Sequence, residues 1–386
     1  MKNRLIAVVF TAVIFIGSIT AWCYPVKEYS KEENRALQKM PEFNFQRLIR
    51  GKYIKEFENF TTDQFPLRNG WVAVKSYSDL ALGKKDNGKV YFGSDETLFS
   101  MDDIDLKQQR VNVKLLCKML DNIKSVNPKV GMSVLIAPTA PQIWKDKLPM
   151  YAQVPSMKQV DDVFEDKVLK SGAKYIKTYS ALKENQEKYI YYRTDHHWTT
   201  YGAYLAANEF KKRNGFSPRA ISDYRIKRVS NNFYGTNQSK TNIENISPDN
   251  MYGYVLKKQA DIKIERTEQG NRKITHRDGL YFPEFLKEKD KYSYFLGGNS
   301  PLIKIRCDHR GGVAERGRTL LVIRDSYANC FIPFLTDEYD KILAVDFRYF
   351  KGGLRKLTAD EGVTDVLVLY NMVQISNDRN LVYGTV

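Results

Sequence analysis

Cysteine is scarce in this chain: four among 386 residues, at Cys23, Cys117, Cys307 and Cys330. They are too few and too dispersed for a disulfide framework, and without a CxxC pair they do not make a structural zinc site. Histidine is equally scarce at four, and His276 and His309 have no ligand-like setting. Neither an internal repeat nor a low-complexity tract occurs, which excludes solenoids and compositionally disordered chains. Beyond residue 24 no stretch approaches twenty uncharged apolar residues, which excludes a second membrane span. Acidic residues are outnumbered, 45 Asp and Glu against 61 Lys and Arg, a formal charge of +16.

One long apolar run is present, Leu5 to Tyr24, preceded by Lys2 and Arg4. A helix of that length crosses the ~30 Å hydrocarbon layer, and its basic flank keeps the N-terminus cytoplasmic. The rival reading is a cleaved signal peptide, whose apolar core is shorter and ends in small residues; Ala21-Trp22-Cys23 is a poor cleavage site and a poor lipoprotein site. Both readings put the bulk of the chain outside: in the cell membrane as a single-pass protein with an extracytoplasmic domain, or secreted if the segment is cut. Removing Lys2 and Arg4 from the +16 leaves +14 on the exported part. Those cations are spread along the chain, so nucleic acid is not expected; most are solvated helix faces, and the electrostatic partner they suit is an anionic envelope or acidic glycan.

Three segments follow: residues 1–24 as anchor or signal, 25–85 as a polar helical segment packing on the main domain, and 86–386 as that domain. Helical spacing of Tyr53, Ile54, Phe57 and Phe60 supports the second. In the third, helices near 105–125 and 156–171 alternate with the strands Met132–Ile136 and Tyr175–Thr178. Tyr189–Tyr192 reads as a short aromatic strand, and Thr200–Arg213 as a helix ending at Asn214-Gly215. Within about 216–300 the alternating runs Asp261–Glu265 and Lys291–Phe295 read as an antiparallel β insertion. The last seventy residues hold three apolar runs, Thr319–Ile323, Lys341–Val345 and Val366–Tyr370, separated by helices. That pattern implies a parallel sheet with crossovers, an α/β fold.

Parallel strands deliver their C-terminal ends to one sheet edge, where ligands bind. That edge carries Arg324-Asp325-Ser326, Asp346-Phe347-Arg348 and Asn371. Ser326 precedes the helical stretch YANCFIPFL, a position equally suited to a helix cap and to a nucleophile. The stretch Arg193-Thr194-Asp195-His196-His197-Trp198-Thr199-Thr200 holds half the histidines of the chain. Asp195 and His197, two apart in extended chain, project to one side, so the carboxylate can accept from Nδ1–H and leave Nε2 to take a serine proton; His196 then faces the other way. A structural histidine pair and a metal site on Asp195, His196 and His197 are the alternatives; adjacent histidines seldom share one ion, so no metal is expected.

The T-D-H-H-W-T-T-x-G-A-Y stretch resembles the signature of the DHHW family, which is similar to the alginate O-acetylation proteins of the SGNH-hydrolase superfamily. The likeness includes Glu33-Asn34-Arg35 before Pro41, Asp63-Gln64-Phe65-Pro66-Leu67-Arg68 and Arg324-Asp325-Ser326-Tyr327-Ala328-Asn329. The alginate relatives carry Asp-x-His-Trp ahead of the serine, an order that falls on Asp195, His197, Trp198 and Ser326. Ordinary SGNH hydrolases have the reverse order, Gly-Asp-Ser where this chain has Arg324-Asp325-Ser326, and Asp-x-x-His.

The resemblance implies an SGNH-like parallel sheet with flanking helices. It also implies an O-acetyltransferase or acetylesterase acting on a cell-surface polysaccharide, with Ser326, His197 and Asp195 as catalytic residues and no cofactor. Asn371 and a Gly297-Gly298 amide are candidate oxyanion donors, and Arg348, Trp198 and Tyr327 are candidate substrate contacts. A multi-spanning membrane acyltransferase is the implied partner, supplying acetyl groups. The alternative is a non-catalytic glycan-binding or scaffold protein of an envelope polysaccharide-modification complex, in which Ser326 is only a cap.

Overall fold

The apolar runs near the C-terminus lie side by side in one eight-stranded sheet. Its strands are β1 (Gly131–Ala137), β2 (Lys174–Ile176), β3 (Asp261–Thr267), β4 (Ile274–Asp278), β5 (Leu302–Asp308), β6 (Thr319–Arg324), β7 (Lys341–Val345) and β8 (Asp365–Asn371). They are ordered β4-β3-β5-β7-β6-β8-β1-β2. The strands from β7 to β2 are parallel, and β5, β3 and β4 extend the sheet antiparallel. This computed structural model describes residues 2–30, 35–258, 260–268, 270, 273–309 and 317–386. Glu33 and Asn34 of the family-like stretch lie outside the described residues.

Both faces of the sheet are buried, which is why its central strands read as unbroken Leu, Ile and Val. Leu320, Val322, Leu367 and Leu369 face one core; Leu321, Ile323, Val366 and Val368 face the other. Helices Leu106–Val126 and Met157–Lys170 cover the second face with Leu116, Leu120, Val160 and Phe164. Asp105 caps the first of them by accepting from the Lys107 and Gln108 amides. Helix Thr200–Arg213 packs Ala203, Ala206, Ala207 and Phe210 into the first face.

The β insertion differs from its expected form. Asp261–Thr267 joins the main sheet as β3. Tyr224–Phe233 and Asp249–Leu256 make a separate antiparallel hairpin. Lys291–Tyr294 is a 3-10 turn and not a strand: Asp290 accepts from Ser293 Oγ at 2.6 Å, a local bond that competes with extended chain. Tyr189–Tyr192 is not a strand either. It folds back on the histidine stretch through one bridge, Tyr191 to Trp198, with Thr199 N donating to Ile190 O (2.9 Å) and Tyr192 N to His197 O (3.2 Å). The helix expected after Ser326 is one turn, Ala328–Phe331, that tightens into 3-10 at Ile332–Leu335, because Pro333 has no N–H to donate.

Two compact units divide the chain: residues 1–87 with 238–246, and 88–237 with 247–386. The first holds helices Lys2–Cys23, Phe45–Ile49, Lys52–Asp63 and Arg68–Ala81. In it Asp63 takes Arg35 bidentately at 2.6 and 2.9 Å and accepts from Gln38 N. Lys2–Cys23 is one helix of 22 residues with exposed apolar side chains such as Phe10 and Phe15. Among the described residues, which omit several side chains of that helix, no helix is long and apolar enough to cross a membrane.

Helix Thr200–Arg213 is tied to the far end of the Ser326 segment by a buried cation. Lys211 Nζ, fully buried, lies 2.8 Å from Asp337 and 3.0 Å from Glu338. Removing one member of such a group leaves the others buried and unpaired. Lys211→Met is therefore expected to lower unfolding free energy by about 3 kcal/mol, read from chemical denaturation midpoints; an unchanged midpoint contradicts this.

Candidate active site

The histidine stretch is a loop, not a strand, and a turn sets its geometry. Asp195 Oδ1 accepts from the backbone N–H of His197 at 2.9 Å, an Asx turn. The same oxygen is 2.5 Å from His197 Nδ1. The two side chains meet through that turn, where alternation in extended chain was expected to bring them together. Oδ2 accepts from Thr236 N (2.8 Å) and Thr236 Oγ1 (3.1 Å). Burial works to raise the Asp195 pKa, but the neighbouring His196 and His197, the His197 bond and the Thr236 amide outweigh it and hold the carboxyl far below its usual range. A Cβ built on Gly235 would run into the Asp195 side chain, so glycine there leaves room for the carboxylate.

With Nδ1 donating to Asp195, Nε2 is left as an acceptor, and it lies 2.7 Å from Ser326 Oγ. The structure thus brings Ser326, His197 and Asp195 into one chain of hydrogen bonds across 129 residues. His196 does not turn to the opposite side: its ring lies 3.9 Å from that of His197, tilted by 36°, with Nδ1 on Thr236 Oγ1 at 2.6 Å. Asp195, His196 and His197 offer ligand atoms within 4.8 Å of one another. Both His197 nitrogens are already engaged, so a cation bound there would have to break the serine–histidine–aspartate bonds.

The other expected site residues fall elsewhere, and two require correction. Trp198 and Tyr327, expected as substrate contacts, are fully buried and present no face to a ligand. Trp198 Nε1 donates to Tyr327 O at 3.0 Å, and Tyr327 OH donates to His196 O at 2.5 Å. They lock the histidine loop to the serine turn. Arg348 lies along Asp346, its Nη2 at 2.6 Å and Nε at 2.9 Å. Asn371 is also committed to the scaffold: Oδ1 caps the following helix by accepting from Val373 and Gln374 N. Its Nδ2 donates to Asp325 Oδ2 at 2.8 Å, which fixes the amide and leaves it one further hydrogen. Asp325 also accepts from Asn371 N and Tyr327 N, yet burial pushes its carboxyl up to about 6. Arg324, just before Asp325 and Ser326, is fully buried and bonds Asn329 Oδ1 (2.5 Å) and Asn299 Oδ1 (3.3 Å).

Sequence reasoning missed Tyr292. Its ring stacks on His197 at 3.8 Å with 11° between planes, and its hydroxyl lies 3.2 Å from Ser326 O and 3.1 Å from Cys330 Sγ. The aromatic alternation of Lys291–Phe295 was the available signal, and it was read as a strand. Thr236 was missed too, since nothing local links it to Asp195 41 residues away.

The family description "DHHW protein" matches residues 115–345, a stretch that holds Asp195, His197 and Ser326. No curated protein matches the chain. Among solved structures, a DHHW family protein from Eubacterium siraeum is similar at 24% identity and a TM-score of 0.64, over 74% of this chain and 91% of that one. Bacillus cereus PatB1 is similar at 18% identity and a TM-score of 0.60, over 74% of this chain and 96% of that one, and has also been solved with a sulfonyl adduct. At such identities the structural likenesses speak for the fold alone. The family match spans more than half of the sequence, and with it the chain belongs to the DHHW family.

Proposed function

We propose that this protein is an extracytoplasmic, serine-dependent O-acetyltransferase or acetylesterase acting on a cell-surface polysaccharide, held at the membrane by the helix Lys2–Cys23. The reading rests on one observation: Ser326 Oγ sits 2.7 Å from a histidine nitrogen whose opposite nitrogen is held by a buried carboxylate. His197 Nε2 takes the Ser326 proton as Oγ attacks the acetyl carbonyl. The tetrahedral oxyanion is met by the Ser326 N–H and the remaining Asn371 Nδ2 hydrogen, each such donor contributing about 3 kcal/mol. Collapse breaks the ester bond, and His197 returns the proton to the departing oxygen. A sugar hydroxyl, or water, then gives its proton to His197 and attacks acetyl-Ser326, which releases the acetylated sugar or acetate and restores the serine. Asp195 keeps the tautomer and stabilises the imidazolium throughout. The acetyl group would come from a multi-spanning membrane acyltransferase beside the anchor, and the PatB1 sulfonyl adduct makes a sulfonyl fluoride an apt probe of Ser326.

The test is turnover of a chromogenic acetyl ester by the purified protein, and labelling by a sulfonyl fluoride located by peptide mass spectrometry. Label on Ser326 and a loss of at least about a thousandfold in Ser326→Ala are expected. No turnover would leave the non-catalytic scaffold reading in its place, and turnover unchanged in the variant would remove Ser326 as the nucleophile.

Gly235→Ala, which forces the Asp195 side chain aside, is expected to lower kcat about a hundredfold; a rate within twofold of the parent contradicts the role given to that carboxylate. For Tyr292→Leu we expect kcat to fall at least about tenfold with KM little changed, and Tyr292→Phe, which keeps the stacked ring, to restore it. Equal rates in the two variants would mean that the ring does not position His197.

The Asp325 carboxyl is expected to titrate near pH 6, seen as a ¹³C-carboxyl shift that Asp325→Asn removes. Because its folded pKa lies above the ordinary aspartate value, the folded state binds the extra proton between about pH 4 and 6. The contribution of this group to stability is therefore largest below that window and falls as pH rises through it. A midpoint at the ordinary aspartate value would contradict this.

A further inference from the structure

A groove of about 610 Å³ is lined in part by Arg193, Thr199 and Thr200 of the histidine loop. Its walls are Tyr189, Tyr201 and Tyr252 with Ile226, and Lys188 and Arg193 stand among them. Tyr189, Tyr201 and Tyr252 are half-buried, and Ile226 is exposed. Lys188 Nζ lies 5.5 Å from the Tyr201 ring centre and 3.1 Å from its hydroxyl. On the hairpin, Arg228 is paired across from Tyr252 and Ile226 across from Tyr254, so all four share one face, and Arg228 is exposed.

The charged side chains that line this groove are cationic, although the Arg193 guanidinium is also 3.7 Å from Asp249. The lining contains no aspartate or glutamate. Asp249 lies beneath it, fully buried, and takes the Arg193 and Thr194 amides and the Tyr189 hydroxyl. Arg193 is also paired with Glu96 at 3.3 Å. Among the described residues Lys188, by contrast, bonds neutral oxygens, those of Asn185 and Tyr201. Rigid tyrosine faces that are partly open suit the C–H faces of pyranose rings, as aromatic rings pair with apolar, weakly positive edges. The ammonium and guanidinium groups suit carboxylates. A polymer of glycerol phosphate would offer the anion without the ring.

We propose that this groove is a binding subsite for an acidic polysaccharide, a chain of pyranose rings carrying carboxylates. Thr199 and Thr200 connect it to the histidine loop: Thr199 Oγ1 donates to Tyr189 O at 2.6 Å and Thr200 Oγ1 to Tyr252 O at 2.6 Å. They follow His197 by two and three residues, so the loop that presents the imidazole also forms the floor of the groove. The inference deepens the proposed function by naming the polymer class, and rests on that reading for the identity of the acceptor.

The test is calorimetric binding to the full chain carrying Ser326→Ala, which separates it from turnover. Polygalacturonate oligosaccharides are the probe, with neutral dextran and poly(glycerol phosphate) as comparisons. Polygalacturonate is expected to bind, with Tyr252→Ala and the surface change Lys188→Gln each weakening Kd at least about tenfold at an unchanged unfolding midpoint. Lys188→Gln should also flatten the salt dependence. The proposal is overturned if polygalacturonate does not bind, if both variants bind it as the parent does, or if dextran or poly(glycerol phosphate) binds equally well. None of those outcomes touches the ester-turnover result, so the two readings fail separately.

Discussion

Two reciprocal hydrogen bonds hold together loops that are remote in the chain. The Trp198 indole N–H donates to the Tyr327 carbonyl, and the Tyr327 phenol donates to the His196 carbonyl. Four polar groups are thereby satisfied inside the core. Parting the loops would leave each of them buried without a partner, at about 1–3 kcal/mol apiece, unless water followed. The rings add to the grip: Trp198 packs 5.0 Å from Tyr327 and stacks on Phe331 at 6.1 Å. Closing a loop of 129 residues carries an entropic cost, and this clamp offsets part of it at the place where His197 and Ser326 must meet.

Around that clamp each partner of the imidazole fixes a different degree of freedom. Asp195 fixes the tautomer and, through the Asx turn, the direction of the ring. Tyr292 fixes the plane of the ring on one face, and His196 lies against it as a second neighbour. Thr236 holds the other carboxylate oxygen, so Asp195 cannot rotate away without giving up two donors. Gly202 belongs to the same construction. A Cβ there would collide with the Ile190 carbonyl and come to 3.1 Å from Trp198 Cβ, so glycine lets the helix begin directly against the loop. The motif T-D-H-H-W-T-T-x-G-A-Y is thus a folding unit in its own right.

What could be read from the residues follows from what is local. The buried strands β1, β6, β7 and β8 are continuous apolar runs, and the helices Leu106–Val126, Met157–Lys170 and Thr200–Arg213 have regular periodicity and identifiable ends, so both kinds of element stand out. Asp195, His197 and Ser326 were legible because few residue types can build that hydrogen-bond chain. The roles of Trp198 and Tyr327 were not, because an aromatic ring beside a histidine motif reads equally as a sugar platform and as core; only burial distinguishes the two. Tyr292 was hidden for a further reason. A 3-10 turn with residues alternating between core and surface looks like a strand over five positions, and the bond from Ser293 to Asp290 that makes it a turn is a side-chain detail. Thr236 and Gly235 act on Asp195 across the fold, where no spacing rule reaches.

The sheet edge shows how a general rule for α/β proteins divides into parts. Its strand ends carry Ser326, Arg348 and Asn371, and a ligand-facing role was expected of all three. Asp346 instead holds Arg348, and Asn371 joins the end of β8 to Asp325 and the start of the helix Met372–Asn377. Arg324 ties the serine turn to Asn299 and Asn329. Most of the edge is therefore bonded to itself, which keeps the serine turn from moving relative to neighbouring strands. Such rigidity matters because displacement of a reacting group by about 1 Å can cost a hundredfold in rate. One hydroxyl, that of Ser326, is offered to the histidine. A site made this way takes its positioning from the sheet, while the histidine that meets the serine is carried by a loop outside it.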